Sequence, residues 1–383
     1  MSTVSTQIAL VRRMADIERS EWDALLGPDG SPFLEWDWLE ALERSGCVTA
    51  KTGWAPHHLT VREDGHLIAA APMYLKSHSQ GEFVFDHTWA EAAERAGMRY
   101  YPKLLVAVPL TPATGQRILT HPERPRAPLL ELVAQALHDL CRSNEISSVH
   151  VNFCAPDEIA PLCDAGFLHR HGVQYHWRNQ DYGTFDDYLA ALRSKRRTQV
   201  RRELRAVAEQ DIAIAVHEGA DIADDLFEPM FRIYLSTIEK LYWGRQYLNQ
   251  RFFAELRRRW KRNLCLVVAR QRGEIVAAAI NVQKAGVLYG RYWGCLREIR
   301  HLHFAVCYYA GIAHCIERRF ARFEPGAGGD YKHWRGFDAA ATHSLHYLPH
   351  PGFAKAVADF LARERAHVGD VIAQLRERSA IKS

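Results

Sequence analysis

The sequence predicts a mixed α/β protein made of two domains with a similar order of elements. Its 383 residues exceed the usual length of a single domain. Each half contains a glycine-centred turn between two apolar runs, at residues 63–66 and 271–274, and this pattern predicts a β-hairpin. In each half a further strand, a central helix and a closing strand follow. We therefore expect a mixed, mostly antiparallel sheet flanked by helices in residues 1–180 and again in residues 181–383.

In the first half, apolar residues recur at every second position in some segments, as in strands, and at helical spacing in others. Asp64-Gly65 fixes the hairpin, and five prolines between residues 109 and 128 predict a long loop. The patterns predict strands at 8–12, 58–62, 67–75, 104–110, 149–153 and 167–177, and helices at 17–26, 35–44, 129–141 and 156–164.

The second half opens with a basic helix, predicted as one continuous element over residues 186–210. A later helix, at 301–320, is apolar nearly all round and is therefore expected to be buried. The remaining patterns predict strands at 212–217, 264–270, 275–283 and 287–294, and helices at 222–240 and 249–260.

Charge and composition exclude several classes of protein. The net charge is +4, with 49 Lys+Arg against 45 Asp+Glu, and 48% of the residues are hydrophobic, which excludes a disordered chain. Seven basic residues and one acid fall within 193–205, so the excess positive charge lies on the basic helix. No apolar run is long enough to span a bilayer and no secretory signal is visible, which predicts a cytoplasmic protein.

The eight cysteines are scattered and form no C-x-x-C pair, which argues against a zinc finger or a thioredoxin-like site. Three histidines, His343, His346 and His350, have spacings of three and four, but Pro349 and Pro351 interrupt any helix there. We expect no metal site, and interpret His346 as a hydrogen-bonding residue of a pocket beside Ser344.

Several short motifs of the second half form a recognisable set. The motifs are Ser194-Lys195-Arg196-Arg197 with Arg201-Arg202-Glu203-Leu204-Arg205, Leu302-His303-Phe304 with Cys307-Tyr308-Tyr309, Phe323-Glu324-Pro325-Gly326-Ala327, Lys332 with Arg335-Gly336-Phe337, and Ser344 with His346. Together they resemble the FemAB-like family, bacterial proteins related to the Fem peptidoglycan aminoacyltransferases. The order of elements is also similar to that of GNAT acyltransferase domains.

The resemblance implies two tandem GNAT-like domains and transfer of an acyl or aminoacyl group to an amine. The chain departs from the family pattern at three places. It has Gly328-Gly329-Asp330-Tyr331-Lys332 where Gln-Gly-Glu-His-Lys is expected, Ala305 where glutamate is expected, and Ala310 where glutamine is expected. These departures imply a different substrate or a different activity.

The loop at residues 324–336 is the strongest candidate for chemistry, because its glycines allow sharp turns beside charged side chains. Acyl transfer to an amine needs a proton acceptor and a donor to the developing oxyanion. We assign Glu324 as base or amine anchor, and Lys332 or Arg335 as the oxyanion donor. The alternative is a turn that carries a surface ion pair.

Three arginines are candidate phosphate ligands. Arg196 lies within the apolar stripe of the basic helix, where it either binds a ligand or is paired internally, while Arg297 and Arg300 precede a helix start. Aromatic residues are candidates for a pocket wall, although aromatic clusters also form cores. They are Trp243, Tyr292, Trp293, Tyr309 and Trp334.

The expected function is therefore transfer of an activated acyl or aminoacyl group onto a small amine acceptor, such as a peptidoglycan precursor or an amino-acid-like molecule. We expect no tightly bound cofactor, with acyl-coenzyme A or aminoacyl-tRNA as the donor. A tRNA partner depends only on the basic helix. The alternative is a non-catalytic module that binds a small molecule or nucleotide.

Overall fold

The computed structural model describes residues 5–240 and 245–382. Trp243 lies outside the described residues. The strands are β1 (Thr6–Val11), β2 (Trp54–Pro56), β3 (His58–Glu63), β4 (His66–Ala71), β5 (Met73–Lys76), β6 (Lys103–Val106), β7 (Leu119–Thr120), β8 (Val149–Asn152), β9 (Leu168–Arg178), β10 (Ile212–Glu218), β11 (Leu264–Gln271), β12 (Glu274–Lys284), β13 (Val287–Cys295), β14 (Arg322–Glu324) and β15 (Asp338–Tyr347).

The helices confirm most of the predicted positions, within a few residues at their ends. They are α1 (Arg19–Leu26), α2 (Trp36–Arg44), α3 (His87–Arg95), α4 (Arg126–Ser143), α5 (Ile159–Asp164), α6 (Phe185–Ala191), α7 (Ser194–Ala208), α8 (Phe227–Lys240), α9 (Gln250–Arg259), α10 (Leu302–Phe304), α11 (Ala310–Glu317) and α12 (Pro351–Glu377).

The chain divides into two compact units, and their boundaries differ from the expected ones. The first unit comprises Met1–Val173 and Ala341–Asp370, and the second comprises Gln174–Ala340 and Val371–Ser383. The predicted change near residue 180 lies close to this division. Residues 341–370, expected in the second domain, belong instead to the first unit, because β15 pairs antiparallel with β8 from Ser344 to Tyr347.

The first unit contains two groups of strands. One is a sheet of order β1-β3-β4-β7, and in the other β15, β8, β6, β5 and β2 are neighbours in that order. The predicted hairpin is confirmed as β3–β4, with positive φ angles at Asp64 and Gly65 in its turn. Helix α4 packs its apolar face, including Val133 and Leu137, into the core of this unit.

The second unit is built on strands in the order β10-β11-β12-β13-β14-β9, and β9 belongs to this unit from Gln174 onward. Neighbours are antiparallel except for β13 and β14, which are parallel. The second predicted hairpin is confirmed as β11–β12, with positive φ angles at Arg272 and Gly273. The fold is thus mixed α/β with mostly antiparallel sheets and flanking helices, as the sequence predicts.

The prediction of one continuous basic helix over residues 186–210 is wrong, because the chain is extended at Leu192, between α6 and α7. Leu192 is fully buried and forms an antiparallel bridge with Ile381. The next amide, Arg193 N–H, donates to the Ala380 carbonyl at 2.9 Å. Pairing with residues 380–381 thus provides hydrogen-bond partners for backbone groups that would otherwise bond within a helix.

The predicted helix at residues 301–320 is interrupted by a π-helical turn, Ala305–Tyr309, between α10 and α11. Such turns are frequent at functional sites, because they redirect side chains within a helix. Among the described residues, no helix combines the length and the apolar character needed to cross a bilayer.

Helix α8 packs directly on β13, and a glycine permits that contact. A Cβ on Gly294 would lie 1.9 Å from the Ile233 carbonyl oxygen and 2.6 Å from Ser236 Oγ. We expect Gly294→Ala to lower the free energy of unfolding by about 1–3 kcal/mol, because the helix must move away from the strand. Urea denaturation monitored by circular dichroism measures this change.

The matched control is Gly369→Ala in α12, where a Cβ would meet nothing within 4 Å. This variant should be unchanged or more stable by up to about 1 kcal/mol, since alanine favours a helix. Equal stability of the two variants would contradict the close contact between α8 and β13.

Candidate functional site

A cavity of about 340 Å³ lies within the second unit. Its walls come from α8, β13, the π-helical turn and the loop that follows β14. The lining residues are Tyr234, Thr237, Ile238, Arg245, Tyr247, Ala279, Asn281, Gly290, Arg291, Tyr292, Trp293, His303, Cys307, Tyr308, Pro325, Ala327, Tyr331 and Lys332. We call this the Lys332 cavity.

The Lys332 cavity is cationic and aromatic. Lys332, Arg291 and Arg245 bring positive charge to it, whereas no described lining residue carries a carboxylate. Tyrosine, tryptophan and histidine rings make up much of the remaining wall, and the Tyr234 and Tyr292 rings meet edge to face at 5.1 Å. The cavity is therefore suited to an anionic ligand that carries a flat or apolar group.

The Lys332 side chain is held by the loop that follows β14. It is buried, and its Nζ donates to the carbonyl oxygens of Gly326 at 2.7 Å and Ala327 at 3.3 Å. Burial lowers the pKa of Lys332 to about 8. The group is thus a cation at neutral pH, and two of the three N–H donors of an ammonium are directed to the loop.

The loop after β14 approaches β13 so closely that glycine is needed on both sides. A Cβ on Gly290 would lie 3.1 Å from Pro325 Cα, and one on Gly326 would lie 3.1 Å from the Gly290 carbonyl oxygen. Gly326 also has a φ angle of +85°, which glycine adopts without strain. This close approach holds the two carbonyls that accept from Lys332 at the wall of the cavity.

A β-bulge in β13 shapes the opposite wall. Tyr292 pairs with Ile280 and Gly290 pairs with Asn281, so Arg291 is an extra residue in its strand. Bulges of this kind re-aim side chains beside functional sites. Arg291 and Tyr292 both line the cavity, with the guanidinium carbon of Arg291 5.2 Å from the centre of the Tyr292 ring.

His303 contributes an imidazole ring to the wall of the cavity. Its ring centre lies 4.8 Å from that of Trp293, and burial, together with the positive charges of Arg335 and Lys332, lowers its pKa to about 4. His303 is therefore neutral at neutral pH and can accept a proton or a hydrogen bond.

Arg335 does not line the cavity, and its predicted role as an oxyanion donor is not supported. The guanidinium is fully buried and donates to both carboxylate oxygens of Glu203, at 2.8 and 2.9 Å. It also donates to the Tyr309 hydroxyl at 2.8 Å and the Tyr331 carbonyl at 2.9 Å. All three nitrogens are thus engaged by the protein, and the Tyr309 hydroxyl donates in turn to Glu203.

Tyr309, predicted to bind substrate, is only 2% exposed and belongs to this network. Burial and the Glu203 carboxylate raise the pKa of the Tyr309 hydroxyl, while Tyr309, Gln199 and Arg335 lower the pKa of Glu203. Arg335 and Tyr309 therefore join the turn at residues 330–335 to α7 through Glu203.

Glu324 is buried at the end of β14 and is not among the residues that line the cavity. Its carboxylate lies 2.9 Å from Arg322 Nε and 3.9 Å from His176 Nε2. Burial and nearby cations lower the pKa of His176 to about 3, so this imidazole is neutral. The positive charge next to Glu324, the predicted base, is therefore that of Arg322.

Arg196 is half-buried and packs over the Trp334 ring, with its guanidinium carbon 4.9 Å from the ring centre. It also donates to Gln199 Oε1 at 3.1 Å, and Gln199 donates to Glu203 at 2.9 Å. Of the two interpretations of Arg196, the structure therefore favours internal pairing. The buried face of α7 consists of Val200, Glu203 and Val207.

Arg297 and Arg300 are exposed and line a second cavity, of about 440 Å³. This cavity shares Trp293 and His303 with the Lys332 cavity. The structure therefore brings together Lys332, Tyr292, Trp293, Arg297 and Arg300 among the predicted residues.

Ser344 and His346 belong to the first unit and do not line the Lys332 cavity. His346 is fully buried; its Nδ1 lies 2.6 Å from His150 Nδ1 and its Nε2 lies 2.9 Å from Ser344 Oγ. Burial lowers the pKa of both imidazoles. The predicted contact between Ser344 and His346 exists, but as part of the core.

Sequence reasoning missed Glu203, His303, Arg291 and Cys307 as residues of the site or its support. Glu203 carried a usable signal, since it is the single acid among the basic residues 193–205. A lone carboxylate in a basic helix is a candidate for a buried partner of an arginine.

The Glu203–Arg335 pair generates a stability prediction. We expect Glu203→Gln to lower the free energy of unfolding by about 3–5 kcal/mol, because it leaves the buried guanidinium without its counter-charge. Urea denaturation measures the loss. Glu91→Gln, which removes an exposed pair with Arg95, is the control and should change stability by less than about 1 kcal/mol. Similar losses in both variants would contradict the buried pair.

The pKa of Lys332 generates a second prediction. An unfolded lysine keeps its proton to about pH 10.4, so between about pH 8 and that value the unfolded state binds more protons than the folded state. Stability conferred by the wild-type side chain therefore rises with pH in this window. Relative to Lys332→Met, the free energy of unfolding should increase by at most about 1.4 kcal/mol per pH unit.

The control for this measurement is Lys355→Met, an exposed lysine of α12, which should show no such trend relative to the wild type. The account would be contradicted if the free energy of unfolding of the wild type, relative to that of Lys332→Met, stayed constant or decreased over the same pH range. That result would show that the Lys332 ammonium is not desolvated.

Comparison with known proteins identifies solved structures with a similar fold. Similar structures include the C-terminal domain of a protein named as a lysylphosphatidylglycerol synthetase from Agrobacterium fabrum, with a TM-score of 0.56, 12% identity and coverage of 91% of this chain and 96% of that chain. FemX has a TM-score of 0.53, 12% identity and coverage of 89% and 98%. The L-PGS structure from Bacillus licheniformis has a TM-score of 0.52, 9% identity and coverage of 90% and 97%.

At these identities the likeness establishes the fold. A search of the curated proteins gave no match to this sequence. A family model described as peptidoglycan biosynthesis/recognition matches residues 13–383, nearly the whole chain. The predicted resemblance is thus confirmed, and the chain belongs to the FemAB-like family.

Proposed function

We propose that the protein transfers an activated acyl or aminoacyl group onto an amine, with the donor bound in the Lys332 cavity. The observation that carries this proposal is a buried ammonium, held by two loop carbonyls, in a cavity whose described lining contains no carboxylate. A fixed cation in a partly desolvated site stabilises an oxyanion more strongly than water does.

The proposed reaction is attack of the acceptor's amine nitrogen on the carbonyl carbon of the donor. The C–N bond forms, and the C–O bond of an ester or the C–S bond of a thioester breaks. The third N–H of Lys332 donates to the carbonyl oxygen as its charge develops. The neutral imidazole of His303 accepts the proton released by the amine and passes it to the leaving oxygen or sulfur.

The donor's anionic part is proposed to enter the second cavity, which is lined by Arg297 and Arg300 together with Glu298. Arg297 and Arg300 are proposed to contact phosphate, and Tyr292 and Trp293 to pack against the apolar or base moiety. Acyl-coenzyme A and aminoacyl-tRNA both combine phosphates with a base. Glu324 remains a proposed anchor for the acceptor amine, while Arg335 and Tyr309 are proposed to position the loop.

The acceptor is proposed to be an amine of a peptidoglycan precursor. The family description supports this class, and the names of the similar structures refer to FemX and to a lysylphosphatidylglycerol synthetase.

A second candidate function is ligand binding without catalysis. It is favoured by the His303 pKa of about 4, which makes this imidazole a weak base, and by alanine at positions 305 and 310 where the family resemblance predicts glutamate and glutamine. In this case the Lys332 cavity would retain an anionic nucleotide or small molecule without turning it over.

A thermal-shift screen with acetyl-coenzyme A, aminoacyl-tRNA and UDP-linked muropeptides tests the assigned site. At least one donor should raise the melting temperature of the wild type and of Lys355→Met, but not of Lys332→Met. A ligand at 100 times its dissociation constant stabilises the folded state by about 2.7 kcal/mol. Equal shifts in all three proteins would place the ligand elsewhere.

The transfer assay separates the two candidate functions. With the stabilising donor and a muropeptide amine, mass spectrometry should detect an amide product whose rate of formation falls as pH rises above about 8, because Lys332 then loses its proton. Lys332→Arg should retain more activity than Lys332→Met. Binding of donor with no product at any pH would favour the non-catalytic module.

The basic side chains of α7 generate a test for a tRNA donor. Lys195, Arg201, Arg202 and Arg205 are exposed on this helix. If they contact the tRNA backbone, affinity should fall steeply with salt, and replacing all four with glutamine should flatten that dependence. An unchanged salt dependence would remove tRNA as the partner of this helix.

A further inference from the structure

Three histidines of the first unit converge on one face of neighbouring strands. His169 and His171 are two residues apart on β9, so their side chains project from the same face, and His343 lies on the adjacent strand β15. All three are half-buried, and one ring nitrogen from each lies within 4.8 Å of the others. We call this group the histidine triad.

The rings of the triad contact one another directly. His169 Nε2 lies 3.1 Å from His343 Nδ1, and the ring centres are separated by 4.6 Å for His169 and His171, 5.1 Å for His169 and His343, and 5.3 Å for His171 and His343. One ring nitrogen of each imidazole thus lies within 4.8 Å of the other two, and a neutral imidazole has one nitrogen lone pair to offer a metal ion.

The backbone around the triad is held by hydrogen bonds. The His343 carbonyl accepts from Cys154 N–H at 3.1 Å, and the His169 carbonyl accepts from Arg365 Nη1 at 2.5 Å. The nearby carboxylate of Glu364 is engaged by Arg170 through two contacts of 2.8 Å. The triad is therefore presented on anchored strands, as ligand sets of metal sites usually are.

We propose that the histidine triad binds a divalent transition metal of the zinc class, with the fourth coordination position open to water or an anion. Zinc is bound by histidine nitrogens at about 2.0–2.1 Å in a tetrahedral arrangement, which places those nitrogens about 3.3 Å apart. Metal binding in the triad therefore requires side-chain rotations that shorten the longest nitrogen–nitrogen separation, up to 4.8 Å, toward this value.

The proposed ligand set differs from the one considered on sequence spacing, and it replaces the expectation of no metal. His346 is occupied by His150 and Ser344 in the core, and His350 is exposed. His343 instead meets two histidines that lie more than 170 positions away. The site belongs to the first unit and is independent of the transferase proposal for the second.

Metal titration of the chelator-treated full chain tests the proposal. Zn²⁺ should bind in a ratio of one per chain, and Co²⁺ should give the strong visible absorption of a four-coordinate complex. His343→Ala and, separately, His171→Ala should weaken Zn²⁺ binding by more than about 100-fold, since each removes a direct ligand. His66→Ala, an exposed histidine outside the triad, should bind as the wild type does.

Melting temperatures measured without metal establish that the variants fold, and added Zn²⁺ should raise the melting temperature of the wild type and of His66→Ala only. Equal Zn²⁺ affinity in all four proteins, or a six-coordinate Co²⁺ spectrum that the triad variants leave unchanged, would overturn the proposal. If the chain binds no metal but still catalyses transfer, the metal proposal fails while the proposal for the Lys332 cavity stands. The two proposals can therefore fail separately.

Discussion

The buried ion pair between Glu203 and Arg335 is the interaction on which the arrangement of the second unit depends. It joins α7 to the short helical turn Asp330–Arg335, and Tyr309 links both partners to the π-helical turn. Removing two charges from water is costly, and only a nearly complete set of hydrogen bonds offsets that cost. Here both carboxylate oxygens and all three guanidinium nitrogens have partners.

This pair determines where Lys332 lies, because Lys332 is three residues before Arg335 in the same turn. The Tyr188 hydroxyl donates to the Arg335 carbonyl at 2.8 Å and fixes the end of the turn. The loop from Pro325 then supplies the carbonyl acceptors for the lysine. A lysine held in this way keeps a defined position although its burial disfavours the charge, which is the property required of an oxyanion donor.

The sequence predicted the local features of the fold and some of the site. Hairpin turns at Asp64-Gly65 and Arg272-Gly273 and the glycine-rich loop before Lys332 follow from residue type alone, because only certain residues adopt those backbone angles. Lys332, singled out from the glycine-rich loop, and Tyr292 and Trp293, named as candidates for an aromatic wall, all line the cavity.

Features that depend on distant contacts were not predictable from local pattern. The break at Leu192 requires pairing with Ile381, and the role of Arg335 requires Glu203, which lies 132 positions earlier. The histidine triad likewise depends on the pairing of strands far apart in the chain. The π-helical turn leaves the apolar pattern of its helix unchanged, so periodicity could not reveal it.

The most direct test of the central claim is a crystal structure of the chain bound to a stable, amide-linked analogue of the donor that raises its melting temperature. The account predicts the analogue's carbonyl oxygen within hydrogen-bonding distance of Lys332 Nζ, with its phosphates toward Arg297 and Arg300. An analogue bound outside the Lys332 cavity, or inside it with the carbonyl directed away from Lys332, would contradict the claim.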